Sequence, residues 1–275
     1  MLKVENTIVT GFEAAIRGMR NPLLSYERSD SRFEDETGYH DICGRCYSDE
    51  DVFDHYDDYP GSMLIGNADK DLMKRLASAG KDHAKYRRMI VVYADLTAPL
   101  YWWKEYDTYK VGTVANSCST MHKIHAKEFT FDDFSCDHLT AMQDCEKACI
   151  GLQIDDKEYE KNLLWVHPNP YSLLKDQREQ MIPISPEDIL RLTIHMLNSL
   201  RREYLETKDK EYWYQMIQLL PSSYNQRRTV MLNYEVLANI YPARKNHKLD
   251  EWHTFCDWIR NLPESWIITG EEKNA

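Results

Sequence analysis

The sequence predicts a helix-rich α+β protein, on three observations. Only ten glycines and ten prolines occur in 275 residues, against roughly 12% in an average chain, so few positions interrupt regular structure. Several segments of the C-terminal half repeat apolar residues at intervals of three and four, the period of an amphipathic helix. One run, Met89-Ile-Val-Val-Tyr-Ala-Asp-Leu96, is instead apolar and β-branched nearly throughout. It predicts a strand covered on both sides or at a core edge, placed at the centre of the fold. The length allows one large domain or two small ones. The chain is read as a single α+β domain over residues 1–275, with an acidic insertion at about 29–59.

Phe12, Ala15, Ile16 and Met19 lie at helical spacing and predict a short amphipathic helix. Between Ser29 and Tyr59 the pattern fails. Acids at 49, 50, 51, 54, 57 and 58 surround Val52 and Phe53, which predicts an exposed loop. Asn67 can cap a helix starting near Ala68, with Leu72, Leu76 and Ala79 as its face and Gly80 as its stop. After the strand, Ala98-Pro99 opens an aromatic segment, Leu100-Tyr-Trp-Trp103, and proline suits a first helical turn. Residues 111–123 are small and polar and read as a loop; a helix is expected at about 137–150, then an irregular stretch through Pro168 and Pro170.

Ser185-Pro-Glu-Asp188 is a strong helix start, with Ile189, Thr193, Met196, Leu197, Leu200 and Tyr204 as one long face. A second helix is expected from Lys210 to Leu219, stopping before Pro221. A third should cover Thr229 to Ile240, ending before Pro242, and a fourth carries Leu249, Trp252, Phe255, Ile259 and Leu262 up to Pro263.

The chain holds 34 basic and 45 acidic residues, a net charge of −11. That balance disfavours general nucleic-acid binding, whereas a mononucleotide needs only a local pocket. No run approaches the roughly 18 apolar residues of a membrane span, and residues 1–20 lack a basic region followed by an apolar run. A cytoplasmic protein is expected. Seven cysteines, at 43, 46, 118, 136, 145, 149 and 256, do not form a secreted disulfide framework and are read mostly as reduced thiols.

Three constellations carry chemistry. Cys43 and Cys46 have the bite of two thiolates on one zinc, with His40 and His55 to complete the set; the alternative is two ordinary thiols in an acidic loop, and no metal is assigned. Cys145 and Cys149, at helical spacing, read as packing. From 98 to 122, Lys104, Glu105, Asp107, Tyr109, Lys110, Asn116, Ser117, Cys118 and Ser119 follow a hydrophobic strand. Rings for stacking, lysines for an anion and an amide for a base edge are what a nucleotide pocket needs. In the third, Leu219-Leu-Pro221 precedes Asn233, Asn239 and Arg244. Two asparagines six apart differ by roughly 240° on a regular helix and share no face. Their alternatives are a capped backbone for asparagine and a surface ion pair for Arg244.

Together these segments resemble the flavin-dependent thymidylate synthases, which methylate dUMP with reduced FAD and methylene-tetrahydrofolate. The matching order is a strand into Ala98-Pro99 and aromatics, then Lys110, Cys118, Leu220-Pro221, Asn233, Asn239 and Arg244, over roughly residues 68–123 and 209–260. Thr108-Tyr109-Lys110 stands where that family has Arg-His-Arg, Cys118 replaces its serine, and Glu235 and Ile217 replace arginines. The resemblance implies a central antiparallel sheet with surrounding helices, like the thymidylate synthase complementing proteins, in a homotetramer with shared active sites. It further implies FAD against Tyr109, Lys110, Asn233 and Asn239, and a pyrimidine nucleotide against Arg244; Lys104, Glu105 and Asn116 are read as nucleotide contacts from the composition of their own segment. Cys118 could attack C6 of the pyrimidine, with Lys110 favouring the thiolate; otherwise it fills space. The functional expectation is a divergent protein of this kind acting at C5 of a pyrimidine nucleotide. A catalytically inactive nucleotide- or protein-binding module on the same fold is the alternative, and a helical α+β protein of unrelated function the third.

Overall fold

The computed structural model describes residues 1–35, 38–47, 63–141, 164–166 and 182–271. In chain order its elements are β1 (Lys3–Thr10), α1 (Phe12–Arg20), β2 (Arg32–Asp35), β3 (Gly38–His40), β4 (Cys46–Tyr47), β5 (Met63–Leu64), α2 (Asn67–Ser78), β6 (Val91–Pro99), α3 (Leu100–Tyr106), β7 (Val114–Ser117), α4 (Thr120–Lys123), β8 (Leu164–Val166), β9 (Ile182–Ile184), α5 (Pro186–Thr207), α6 (Lys210–Leu219), β10 (Asn225–Asn233), α7 (Tyr234–Arg244), α8 (Asp250–Arg260) and α9 (Trp266–Thr269). The architecture is α+β, as expected. It separates into two compact units: Leu2–Thr97, Lys104–Ser117 and Arg227–Ala275 form one, and Met1, Ala98–Trp103 and Cys118–Gln226 the other.

The first unit is organised by a four-stranded sheet of order β1-β6-β10-β7, in which β1 runs antiparallel to β6 and β7 to β10. The apolar run at 91–97 is an inner strand, but only one of its faces is buried: Val92, Ala94 and Leu96 alternate with exposed Tyr93 and half-buried Asp95 and Thr97. On the buried side α1 places Phe12, Ala15, Ile16 and Met19, the expected face, and the Phe12 ring meets Tyr234 edge-on at 5.6 Å. Helix α8 buries Trp252, Phe255, Cys256 and Ile259, and packs against helices α7 and α9. Burial pushes the Cys256 thiol up to about 11, leaving it a small hydrophobe.

Gly11, between β1 and α1, has φ +93°, and a Cβ there would run into the Met89 carbonyl oxygen. Both facts require glycine. Gly11→Ala is expected to cost about 2 kcal/mol through a strained backbone, read as a lower urea midpoint at unchanged slope.

Several expectations are corrected. Thr229 to Ile240 is not one helix, because residues 225–233 form β10, with Val230 and Leu232 buried at a period of two, and the helix starts at Tyr234. A short apolar run does not distinguish helix from strand by periodicity. Nor does Pro242 end that helix; it sits inside α7 near its end, where the loss of one backbone donor is tolerable. Strand β1 has no counterpart among the sequence-based elements. The described part of the 29–59 loop supplies β2, β3 and β4 to a small sheet of order β4-β3-β2-β5, with Phe33 buried and opposite both His40 and Met63. Asn67 is not the cap of α2: the Asp30 carboxylate accepts from the Ala68 and Asp69 amides at 2.8 and 3.1 Å. The helix buries Asp69 and Met73, while Leu72 and Leu76 are half-buried and Ala79 exposed. Within 111–123, residues 114–117 are an exposed edge strand and 120–123 a short helix capped by the Ser119 hydroxyl.

In the second unit Ser185 caps α5 through a complete capping box with Asp188, as its sequence requires. The buried face is rotated from the expected one: Leu190, Leu197 and Leu200 join Ile124, Phe129, Phe134 and Met216 in the core, whereas Ile189 and Met196 are exposed. Asn198 fixes the registration, since its amide both accepts from the Phe129 N–H and donates to the Phe129 carbonyl, each at 2.8 Å. Helix α6 spans Lys210–Leu219 as expected. Residues 137–141 are not helical. The acids at 49–51, 54, 57 and 58, along with His55, Cys145, Cys149, Pro168 and Pro170, lie outside the described residues. Among the described residues no helix is long and apolar enough to cross a membrane.

Candidate functional site

Helix α3 ends at Tyr106, and the chain turns with the Thr108 and Tyr109 amides donating to the Glu105 and Tyr106 carbonyls. This turn brings Glu105 and Tyr109 to Arg244 at the end of α7. Arg244 Nη1 donates to Glu105 Oε2 at 2.6 Å and its Nε to the Tyr109 hydroxyl at 2.8 Å. Its guanidinium lies 4.5 Å from the Trp252 ring centre, a cation–π distance. Trp252 Nε1 also donates to Glu105 Oε2, at 3.0 Å, and His247 Nε2 stands 3.4 Å from the same oxygen. One carboxylate oxygen therefore holds an arginine and an indole while facing an imidazole.

Three residues of the sequence-derived site, Glu105, Tyr109 and Arg244, are thus assembled. Trp252 and His247 complete the cluster, and sequence reasoning missed them as site residues. Trp252 was legible only as a core residue of α8, and nothing in the spacing of His247 marked it. Arg244 is a partly buried ion pair rather than a free cation, close to its surface ion-pair alternative.

Asn233 caps α7, accepting from the Val236 amide at 3.0 Å, which is its alternative reading. It also touches the turn after Tyr109, since a Cβ on Gly112 would fall 2.9 Å from its Nδ2. Asn239 donates to the Glu235 carbonyl at 2.8 Å and accepts from Lys81 at 2.9 Å. Glu235 is buried, and its Oε2 has no hydrogen-bond partner among the described residues. Burial raises the pKa of the neighbouring Tyr86 phenol; Arg87 opposes that shift and Glu235 adds to it.

Lys104 and Lys110 are exposed and make no ion pair among the described residues. Asn116 is exposed on β7, opposite Thr229. Cys118 belongs to the second unit; its side chain is exposed and its carbonyl accepts from Gln226 at 3.1 Å. On the open face of the sheet the Asp95 carboxylate accepts from Thr229, Asn6 and Arg227, which holds it well below the usual aspartate range. Among the described residues no three His, Cys, Asp or Glu side chains group as metal ligands, and the Cys46 and His55 side chains lie outside them.

No protein-family model and no curated protein matches the chain. Solved structures do. The chain is similar to a crystal structure of thymidylate synthase X from Helicobacter pylori with FAD and dUMP, at 14% identity and TM-score 0.53 over 97% of this chain and 96% of that one. A second crystal structure of that enzyme with FAD and dUMP gives 14% identity and TM-score 0.52 over 98% of each chain. A UMP/dUMP methylase, PolB from Streptomyces cacaoi, bound with 5-Br dUMP, gives 12% identity and TM-score 0.47 over 98% of this chain and 95% of that one. Spanning both chains nearly end to end, the likeness to thymidylate synthase X shows that this chain has the fold of the flavin-dependent thymidylate synthases.

Proposed function

We propose that the protein binds a pyrimidine nucleotide at the Arg244 cluster and acts on it at C5, in dUMP methylation or a related one-carbon transfer. The observation that carries this reading is the end-to-end likeness in fold to an enzyme solved with dUMP and FAD. Within that fold Arg244 is the guanidinium a phosphate would engage by displacing Glu105 and Tyr109, with exposed Lys104 one residue before Glu105. Asn116 as a base contact belongs to the same proposal. So do a homo-oligomer, favoured by Ile189, Leu192 and Met196 exposed at helical spacing on α5, and a cytoplasmic location.

The residues present do not fit FAD as the resemblance places it. Asn233 and Asn239 are committed to backbone groups and Lys81, and Glu235 buries a carboxylate where an arginine is expected. FAD and methylene-tetrahydrofolate therefore enter only as added co-reactants. The poor fit to FAD favours a second reading, a nucleotide-binding module without turnover, because a nucleotide can be held where the redox cofactor is not.

Thermal unfolding tests both. Saturating dUMP should raise Tm by roughly 5–10 °C, since a ligand at about a hundred times its Kd adds about 2.7 kcal/mol and each kcal/mol moves a chain of this size by about 2–4 °C. Arg244→Ala should abolish the shift. Glu105→Gln, which frees the guanidinium while keeping an acceptor for Trp252, should tighten dUMP about tenfold. A dUMP shift with dTMP formed from methylene-tetrahydrofolate, FAD and a reductant supports the enzyme; a shift without product leaves the module. Absence of any shift with pyrimidine nucleotides sinks both.

A further inference from the structure

A basic cleft is lined by residues none of which belongs to the Arg244 cluster. Arg20 at the end of α1, Arg28 at the end of the helical turn Tyr26–Arg28, and Ala68, Asp71, Lys74 and Arg75 along one side of α2 line a cavity of about 460 Å³. That is the size of a small-ligand site. Four cations face one carboxylate there, in a chain of net charge −11. Arg20 is itself committed, to Asp69 at 2.6 Å and to the Ser25 carbonyl at 3.0 Å, and forms a fixed wall. Lys74 stands 5.4 Å from the Trp266 ring centre. Arg28 and Arg75 are exposed and make no ion pair among the described residues. The first amides of α2 already donate to Asp30, so any ligand here is held by side chains and not by the helix end.

We propose that this cleft binds a small diphosphate-bearing anion through Arg28, Lys74 and Arg75. Guanidinium forks match phosphate oxygens in bidentate fashion, and two arginines from separate segments can each take one phosphate. A single phosphate would fill little of the cavity. None of these residues belongs to the proposed nucleotide site, so the two proposals fail independently.

Titration calorimetry with inorganic pyrophosphate, orthophosphate and ADP in chloride buffer tests it. Pyrophosphate should bind one site per chain, about tenfold or more tighter than orthophosphate, and Arg28→Gln and Arg75→Gln should each weaken it about tenfold. Asp71→Asn should move affinity the opposite way, which a variant that merely misfolds would not do. ADP binding more tightly than pyrophosphate would support the proposal with a nucleoside diphosphate as the source, and the reverse order with a plain or sugar-linked diphosphate. No saturable binding of either diphosphate to the native chain, or affinities unmoved by Arg28→Gln and Arg75→Gln, overturns it.

Discussion

Trp252→Ala is expected to lower unfolding stability by about 4 kcal/mol, within the usual range for removing a buried tryptophan. The side chain is 0% exposed. Its ring packs edge-on against Phe255 at 5.7 Å and Tyr109 at 6.2 Å and carries the Arg244 guanidinium on its surface. Truncation leaves a cavity in the core of the larger unit and removes the indole donor that orients Glu105. Trp252→Phe separates these effects: most of the apolar volume stays while the Nε1–H bond is lost, so about 1–2 kcal/mol should go. Urea midpoints at constant slope give both numbers. A loss under about 1.5 kcal/mol for the alanine variant would mean that Trp252 does not hold this end of the fold.

Asp69→Ala should cost about 3–5 kcal/mol, the penalty for leaving a buried cation without its partner. Asp69 is 0% exposed and Arg20 only 3% exposed. The carboxylate accepts from Arg20 at one oxygen and from the Ser29 and Ser31 hydroxyls at the other, each at 2.6 Å. Three segments of chain, at residues 20, 29–31 and 69, are tied by one side chain. Replacing both charges, as in Arg20→Met with Asp69→Ala, should recover much of the loss, because no unpaired charge then remains buried. Strictly additive single and double variants in a mutant cycle would refute the coupling.

Local chemistry was legible in the sequence. Ser185-Pro-Glu-Asp188 makes its own capping box, and the apolar spacing in α1 and α8 names the residues that are buried, because caps and helical faces are settled within one or two turns. The order Ala98-Pro99, Lys110, Cys118, Asn233, Arg244 was enough to indicate the fold that the solved structures share.

Pairings between distant segments were not legible. β10 is a strand because β7 lies antiparallel beside it, and its four apolar and β-branched residues satisfied a helix pattern equally well. Asp30 caps a helix thirty-eight residues on. Asp69, an ordinary first-turn acid by sequence, is buried because Arg20, Ser29 and Ser31 surround it. The state of Arg244 was the least accessible of all: its partner Glu105 is 139 residues away, and only folding brings the carboxylate to it. The sequence by itself determined which charged and polar groups were available; the tertiary structure alone decided which of them neutralise one another, because ion pairs and buried hydrogen bonds depend on distances in space that residue spacing does not encode.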